Sequence, residues 1–101
     1  MLDQTISCVF SQDSGRYNLI GCLDRQTVPA FWSSRESWIP SDRVITFDLS
    51  ALSRVDSAGM VMLLHAQRQI HASGLRVQWI NLPEQLVTLM TLSHVNALFC
   101  A

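Results

Sequence analysis

A change of hydrophobic period in the middle of the chain constrains the fold more than any other sequence feature. Residues 44–49 (Val-Ile-Thr-Phe-Asp-Leu) form a nearly continuous apolar and β-branched run, which is typical of a strand buried in the middle of a sheet. Polar residues follow, and Asp56 and Ser57 are residue types that cap helix starts. A Ser-Gly pair after residue 72 is typical of a helix end. The sequence therefore predicts a central strand that leads into a helix over Ser57–Ala72.

The flanking segments predict further strands and helices around this unit. Residues 5–10 and 17–23 are rich in strand formers, and the Gln-Asp-Ser-Gly turn between them indicates an antiparallel hairpin. The remaining predictions are a helix over residues 28–38, a strand over 75–80, a helix over about 83–92, and a short strand or tail over 94–101. The order β-β-α-β-α-β-α predicts an α/β fold with a mixed sheet of four to five strands and helices packed against it. At 101 residues the chain fits one domain, residues 1–101.

The composition excludes several classes of function. All seven basic residues are arginines scattered along the chain and the formal net charge is −1, so no basic stripe is present to follow a nucleic-acid backbone. The apolar runs are shorter than the ~20 residues that span a bilayer, so membrane association is expected only through a partner. Charged residues make up only 15% of the chain, which indicates that another protein covers part of its surface.

The sequence predicts no catalytic site, no metal site and no cofactor. Without a lysine, the phosphate-binding loop of ATPases is excluded. No HExxH or CxxC pattern occurs, and the three cysteines fit no metal-ligand spacing. The cysteines are Cys8, Cys22 and Cys100. Since the first residues carry no secretory signal, we expect reduced thiols in a cytoplasmic protein.

The two faces of the predicted Ser57–Ala72 helix differ in composition. A projection at about 100° per residue separates two groups of side chains. The group expected to face the sheet is Met60, Leu63, Leu64, Gln67 and Ile70, and the group expected to face outward is Ala58, Val61, Met62, His65 and Gln69. The outward face is thus apolar in its first two turns. Two explanations stay open at this stage: a neighbouring helix or the C-terminal tail covers these residues, or a partner protein docks on them.

Ser57 is the residue in this sequence that is the best candidate for a chemical role. A serine in the first turn of a helix presents its hydroxyl next to unpaired backbone N–H groups and the positive end of the helix dipole. A nucleophilic serine also needs a base and an oxyanion hole, and the sequence identifies neither. On these grounds a capping role for Asp56 and Ser57 is favoured, with Gly59 allowing a close approach to the helix start.

The segment around Ser57 resembles the STAS domain, which is shared by anti-sigma-factor antagonists and the tails of sulfate transporters. The family motif Asp-Ser/Thr-x-Gly is matched by Asp56, Ser57 and Gly59, directly after the predicted central strand. The resemblance covers nearly the whole chain and implies the STAS fold. In the sigma-regulating members the hydroxyl residue of the motif is phosphorylated, so the resemblance also marks Ser57 as a possible phosphoacceptor.

Within this family the chain is most similar to the MlaB-like group, the small STAS subunits of the Mla phospholipid-transport ABC systems of Gram-negative bacteria. The similarity lies in Gly-Cys-Leu-Asp at residues 21–24, Val-Pro-Ala-Phe-Trp at 28–32, Ser-Arg-Val-Asp-Ser at 53–57, and Met-Val-Met-Leu-Leu-His at 60–65. Ser57 stands where the group often has threonine, and Ala58 stands where it has glycine. Both changes keep the hydroxyl and the small residue.

The resemblance implies a non-catalytic cytoplasmic subunit that docks on the transporter's ATPase subunit and is peripheral to the inner membrane through that complex. The partner-binding residues that it implies are Arg54, Asp56, Ser57, Ala58, Gly59, Val61, Met62 and His65. The alternative is an anti-sigma-factor antagonist that uses the same surface and is regulated by phosphorylation of Ser57. A hydrolase with Ser57 as nucleophile is a third reading, for which no base is identified.

Overall fold

A computed structural model describes residues 5–11 and 13–95 of the chain. The strands are β1 (Ile6–Ser11), β2 (Arg16–Leu23), β3 (Val44–Asp48), β4 (Leu52–Val55) and β5 (Arg76–Ile80). The helices are α1 (Val28–Ser33), α2 (Arg35–Trp38), α3 (Ser57–Ala72) and α4 (Glu84–Leu92). Residues 96–101, which belong to the predicted C-terminal strand or tail, lie outside the described residues.

The strands form one mixed sheet in the order β1-β2-β3-β5. β1 and β2 pair antiparallel from Ile6↔Gly21 to Ser11↔Arg16, so the predicted hairpin is confirmed. β3 runs parallel to β2 on one side and to β5 on the other, so the predicted central strand is confirmed as well. Each parallel connection carries a helix, as a crossover requires.

The short strand β4 is absent from the predicted element order, which treated its residues as a turn. β3 pairs only with Tyr17 and Asn18 of the longer β2. The second half of β2 therefore has a free edge, and β4 pairs with it in parallel after a register shift at Gly21. Gly21 has a φ of +115°, and a Cβ there would overlap the carbonyl oxygen of Thr5. Tertiary pairing, which the local sequence does not encode, thus makes residues 52–55 a strand.

The single helix predicted over residues 28–38 is wrong, because the chain breaks at Ser34 into α1 and α2. The Phe31 and Trp38 rings stack with 4.3 Å between their centroids, and the Trp38 Nε1–H donates to the carbonyl of Phe31 at 2.8 Å. In a straight helix, residues seven apart are separated by about 10.5 Å along the axis. The stacked pair therefore needs the break, which folds the second segment back onto the first.

α3 has the predicted bounds and lies across the sheet with one face in the core. Leu63 and Ile70 are fully or almost fully buried and pack with residues of the inner sheet face, among them Leu19, Ile45 and Phe47. α4 adds Leu86 and Met90 to the same core. This burial of apolar area is the main source of the domain's stability.

Candidate functional site

Asp56 forms the start of α3 and connects it to a second loop. Its Oδ1 accepts a hydrogen bond from the Gly59 backbone N–H at 3.0 Å, and its Oδ2 accepts one from the Arg25 backbone N–H at 3.0 Å. The first bond caps the helix. The second bond fixes the loop between β2 and α1 against the helix start. Both oxygens of Asp56 are therefore engaged in holding the backbone.

Gly59, the last residue of the motif, lies where α3 crosses the end of β2. A Cβ at this position would overlap the carbonyl oxygen of Leu23 and come within 3.0 Å of the Leu23 side chain. The expected close approach to the helix start is thus confirmed, and the group that approaches is the backbone of β2. Gly59 is buried and acts by letting the helix seat on the sheet.

Asp24 and Arg54 extend this arrangement to the neighbouring strand ends. Asp24 is buried, and its Oδ1 accepts from the backbone N–H groups of Gln26 and Thr27 at 2.9 and 3.1 Å. Arg54 Nε lies 3.7 Å from Asp24 Oδ2 while the Arg54 side chain is 60% exposed. Arg54 therefore neutralises a buried carboxylate and still offers part of its guanidinium to solvent.

Ser57 differs from its neighbours because its side chain is exposed at the first turn of α3. Within the described part of the chain, no hydrogen bond engages its Oγ. Asp56, not Ser57, caps the helix. The Asp56 carboxylate also compensates the positive end of the helix dipole, so Ser57 adds an exposed hydroxyl beside a helix start that is already capped.

An apolar groove of about 560 Å³ lies between α1 and the first half of α3. Its lining residues are Val28, Pro29, Trp32, Ser57, Ala58, Val61, Met62 and His65. Five of the eight predicted partner-binding residues thus come together in this groove. Arg54, Asp56 and Gly59 are not among the lining residues and instead shape the loops and the helix start behind it.

The prediction that Met62 faces outward is wrong, because its side chain is only 3% exposed. α1 packs along that flank of α3 and covers Met62, which forms part of the groove's floor. Val61 is 44% exposed and His65 is exposed, as predicted. The buried face of α3 is rotated toward α1 because it also includes the small residues Gly59 and Ala66, which the projection of large apolar side chains did not weigh.

The sequence prediction missed the α1 wall of the groove, which consists of Val28, Pro29 and Trp32. The Trp32 ring lies 6.1 Å from the His65 ring between centroids, and the Arg35 guanidinium sits 4.6 Å above the Trp32 ring. Arg35 Nε also donates to Gln69 Oε1 at 2.9 Å. These contacts hold α1 and α2 against α3, so the groove is preformed. The apolar and aromatic run Val-Pro-Ala-Phe-Trp at residues 28–32 was the signal available in the sequence.

The titration shifts occur away from the groove. Backbone and side-chain hydrogen bonds from Ser50 lower the pKa of Asp48, helped by Asn81 and Arg16 and opposed by burial. Burial raises the pKa of the Cys8 thiol to about 11.

Within residues 5–11 and 13–95, no group of three or more His, Cys, Asp or Glu side chains is placed to hold a metal ion. In the same residues, every helix is too short or too polar to cross a membrane.

The chain matches a protein-family model. A family model described as "Mlab, STAS domain" matches residues 7–99. No match to a curated protein sequence was found.

Solved structures with a similar fold include two forms of the Bacillus cell fate determinant SpoIIAA. The unphosphorylated anti-sigma factor antagonist SpoIIAA superposes with a TM-score of 0.66 at 18% identity, covering 91% of this chain and 83% of that one. The phosphorylated form of SpoIIAA gives 0.63 at 18% identity, with 91% and 86% covered. SLC26A9 gives 0.69 at 14% identity over 79% of this chain, which spans only 16% of the SLC26A9 chain. The predicted STAS-like fold is thereby confirmed.

Proposed function

Because the chain belongs to the family of MlaB-like STAS domains, we propose that it is a non-catalytic cytoplasmic subunit of a phospholipid-transport ABC system. In this proposal the domain docks on the ATPase subunit and supports its assembly or ATP turnover. It reaches the inner membrane only through that complex. The docking surface is the groove between α1 and α3 together with Ser57 at its edge.

The observation that carries the proposal is the exposed apolar surface in the first half of α3. Val61 is 44% exposed at the groove, next to the exposed Ser57 and the partly exposed Trp32. An apolar groove bordered by polar residues, with an aromatic side chain in its wall, has the composition of the centre of a protein–protein interface. Arg35 and Asp56 hold its walls in place, so docking requires little ordering of the domain.

Val61→Glu tests this proposal and has a matched control in Val87→Glu. Both valines lie on helices, at 44% and 43% exposure, but only Val61 lines the groove. A glutamate at position 61 would bury a charge in the apolar centre of the complex. We expect Val61→Glu to lose co-purification with the ATPase subunit of the same organism's phospholipid ABC transporter, and Val87→Glu to keep it. Retained binding by Val61→Glu, with folding verified by thermal unfolding, would contradict the proposal.

The second candidate function, an anti-sigma-factor antagonist, is favoured by one observation. The Ser57 hydroxyl is exposed in the first turn of α3, and no hydrogen bond within the described residues engages it, so the side chain is accessible to a kinase. A regulatory antagonist needs reversible phosphorylation there, whereas a constitutive subunit needs only a fitted hydroxyl. Intact-protein mass spectrometry of the chain purified from its own cells distinguishes the two. We expect unmodified Ser57, and a phosphoserine at this position would favour the antagonist.

A further inference from the structure

Three arginines with exposed side chains, Arg25, Arg54 and Arg68, lie on α3 or on the segments that meet at its start, although the whole chain carries a net charge of −1. The Arg25 backbone is bonded to Asp56 at the helix start, and its side chain is exposed. Arg68 is also exposed and follows Val61 by seven residues, so it lies within about 20° of Val61 around the helix axis. Neither guanidinium is in an ion pair with another described residue. Arg54 adds a guanidinium that is partly exposed beside Asp24.

The carboxylates close to the groove are turned inward and already engaged. Asp24 and Asp56 accept backbone N–H groups of the two loops, as described above. The exposed carboxylates of the described chain belong to other elements: the β1–β2 turn, α2, the segment before β3 and the start of α4, at Asp13, Glu36, Asp42 and Glu84. The exposed charges on α3 and on the two segments that meet at its start are therefore those of arginines.

From this arrangement we infer that the segment of the ATPase subunit that enters the groove is an amphipathic helix whose apolar stripe is flanked by Asp or Glu side chains. The apolar side chains fill the space between α1 and α3, which is how a helix binds a groove formed by two other helices. Its carboxylates pair with Arg25 and Arg68. Such pairs at an interface rim act mainly on the rate of association and on specificity. The inference rests on the proposed function, because it assigns the chemistry of that same docking site.

The test is the association rate of the full chain with the purified ATPase subunit, measured by stopped flow or biolayer interferometry. The variants are Arg25→Glu/Arg68→Glu, with Arg76→Glu and Val61→Glu as comparisons. Arg76 is an exposed arginine at the start of β5, at the opposite end of α3. Raising the NaCl concentration from about 50 mM to about 300 mM screens the rim charges.

We expect Arg25→Glu/Arg68→Glu to lower the association rate constant at low salt by about tenfold or more and to weaken its dependence on salt. Arg76→Glu should stay within about twofold of the unsubstituted protein. If the double variant associates as fast as the unsubstituted protein while Val61→Glu does not bind, the groove remains the docking site. The inference that the partner helix carries Asp or Glu side chains beside its apolar stripe is then wrong. If the unsubstituted protein itself does not bind the ATPase subunit, the proposed function fails and this inference fails with it.

Discussion

Both ends of α3 are capped by neighbouring residues, but the surfaces around the two ends differ. At the N-terminal end the Asp56 carboxylate accepts the Gly59 N–H. At the C-terminal end Gly74, with a φ of +79°, turns the chain so that its N–H reaches the carbonyl of His71, and the Leu75 N–H reaches that of Ile70. This is the Schellman arrangement. Both ends are thus satisfied within the domain.

The side chains around the two ends separate them. The N-terminal end borders the apolar groove with Trp32 and Val61 in its lining. The C-terminal end borders a depression of about 690 Å³ whose lining combines polar residues with apolar ones, namely His71, Arg76 and Gln78 with Val44, Leu75 and Val77. Capping residues therefore fix where the helix lies, and we propose that partner binding occurs at the N-terminal end, where the groove is apolar. Substitutions at matched positions of the two ends test this distinction.

The largest expected difference is between Gly59→Ala and Gly74→Ala. A methyl group at position 59 meets the Leu23 carbonyl, so α3 must lift from the sheet, at a cost of about 3 kcal/mol or more. A methyl group at position 74 meets open space and costs about 1 kcal/mol for its left-handed backbone. Urea unfolding measures both. Equal losses of unfolding free energy would show that α3 does not seat on β2 as described.

A smaller difference is expected between Asp56→Ala and Ser73→Ala. Asp56 caps the helix and holds the Arg25 N–H, so its loss should cost about 1–2 kcal/mol. Ser73 donates its hydroxyl to the Gln69 carbonyl on an exposed surface, and the backbone bonds of Gly74 and Leu75 remain without it. We expect a loss below about 0.5 kcal/mol. A larger loss for Ser73→Ala, again by urea unfolding, would reverse the assignment of the two caps.

The smallest effect concerns Asp48, whose carboxylate organises the same sheet edge from which α3 begins. Its pKa is lowered from the ordinary value of 3.8, so the ionised form stabilises the folded state above that pH, and this stabilisation is lost as the pH falls through the folded-state pKa. Asp48→Asn should cost about 1 kcal/mol at neutral pH. The unfolding free energies of the unsubstituted protein and the Asp48→Asn variant should converge as the pH falls from about 5 to about 2. If the difference between the two unfolding free energies did not change with pH, the charge of the Asp48 carboxylate would not contribute to stability.

The sequence predicts the start and the approximate end of α3 because both limits are set locally. Asp56 and Gly74 act through their own backbone and side chains, and both roles follow from residue type. β4 and the break at Ser34 depend on distant partners, the free edge of β2 and the Phe31–Trp38 stack, so a local pattern does not reveal them. Element limits fixed by capping were therefore predictable, and those fixed by tertiary contacts were not.

The candidate site was half predictable for the same reason. Ser57, Val61 and His65 lie on one helix, and the helical period brings them together. Met62 was assigned to the wrong environment, and Trp32 was missed, because both depend on how α1 packs across α3. One wall of the groove is thus a property of α3, and the other is a property of the fold.

If the start of α3 is the docking surface, the substitution Ser57→Leu should impair binding to the ATPase subunit, and Ser73→Leu is the matched control. Both serines are exposed at an end of α3, and neither substitution removes the Asp56 cap or the Gly74 turn. Titration calorimetry with the purified ATPase subunit gives the dissociation constants, and thermal unfolding verifies that both variants are folded. We predict that Ser57→Leu weakens binding by at least about a hundredfold, as loss of a hot-spot contact does, while Ser73→Leu binds like the unsubstituted protein. Undiminished binding by a folded Ser57→Leu variant would show that the start of α3 is not part of the docking surface.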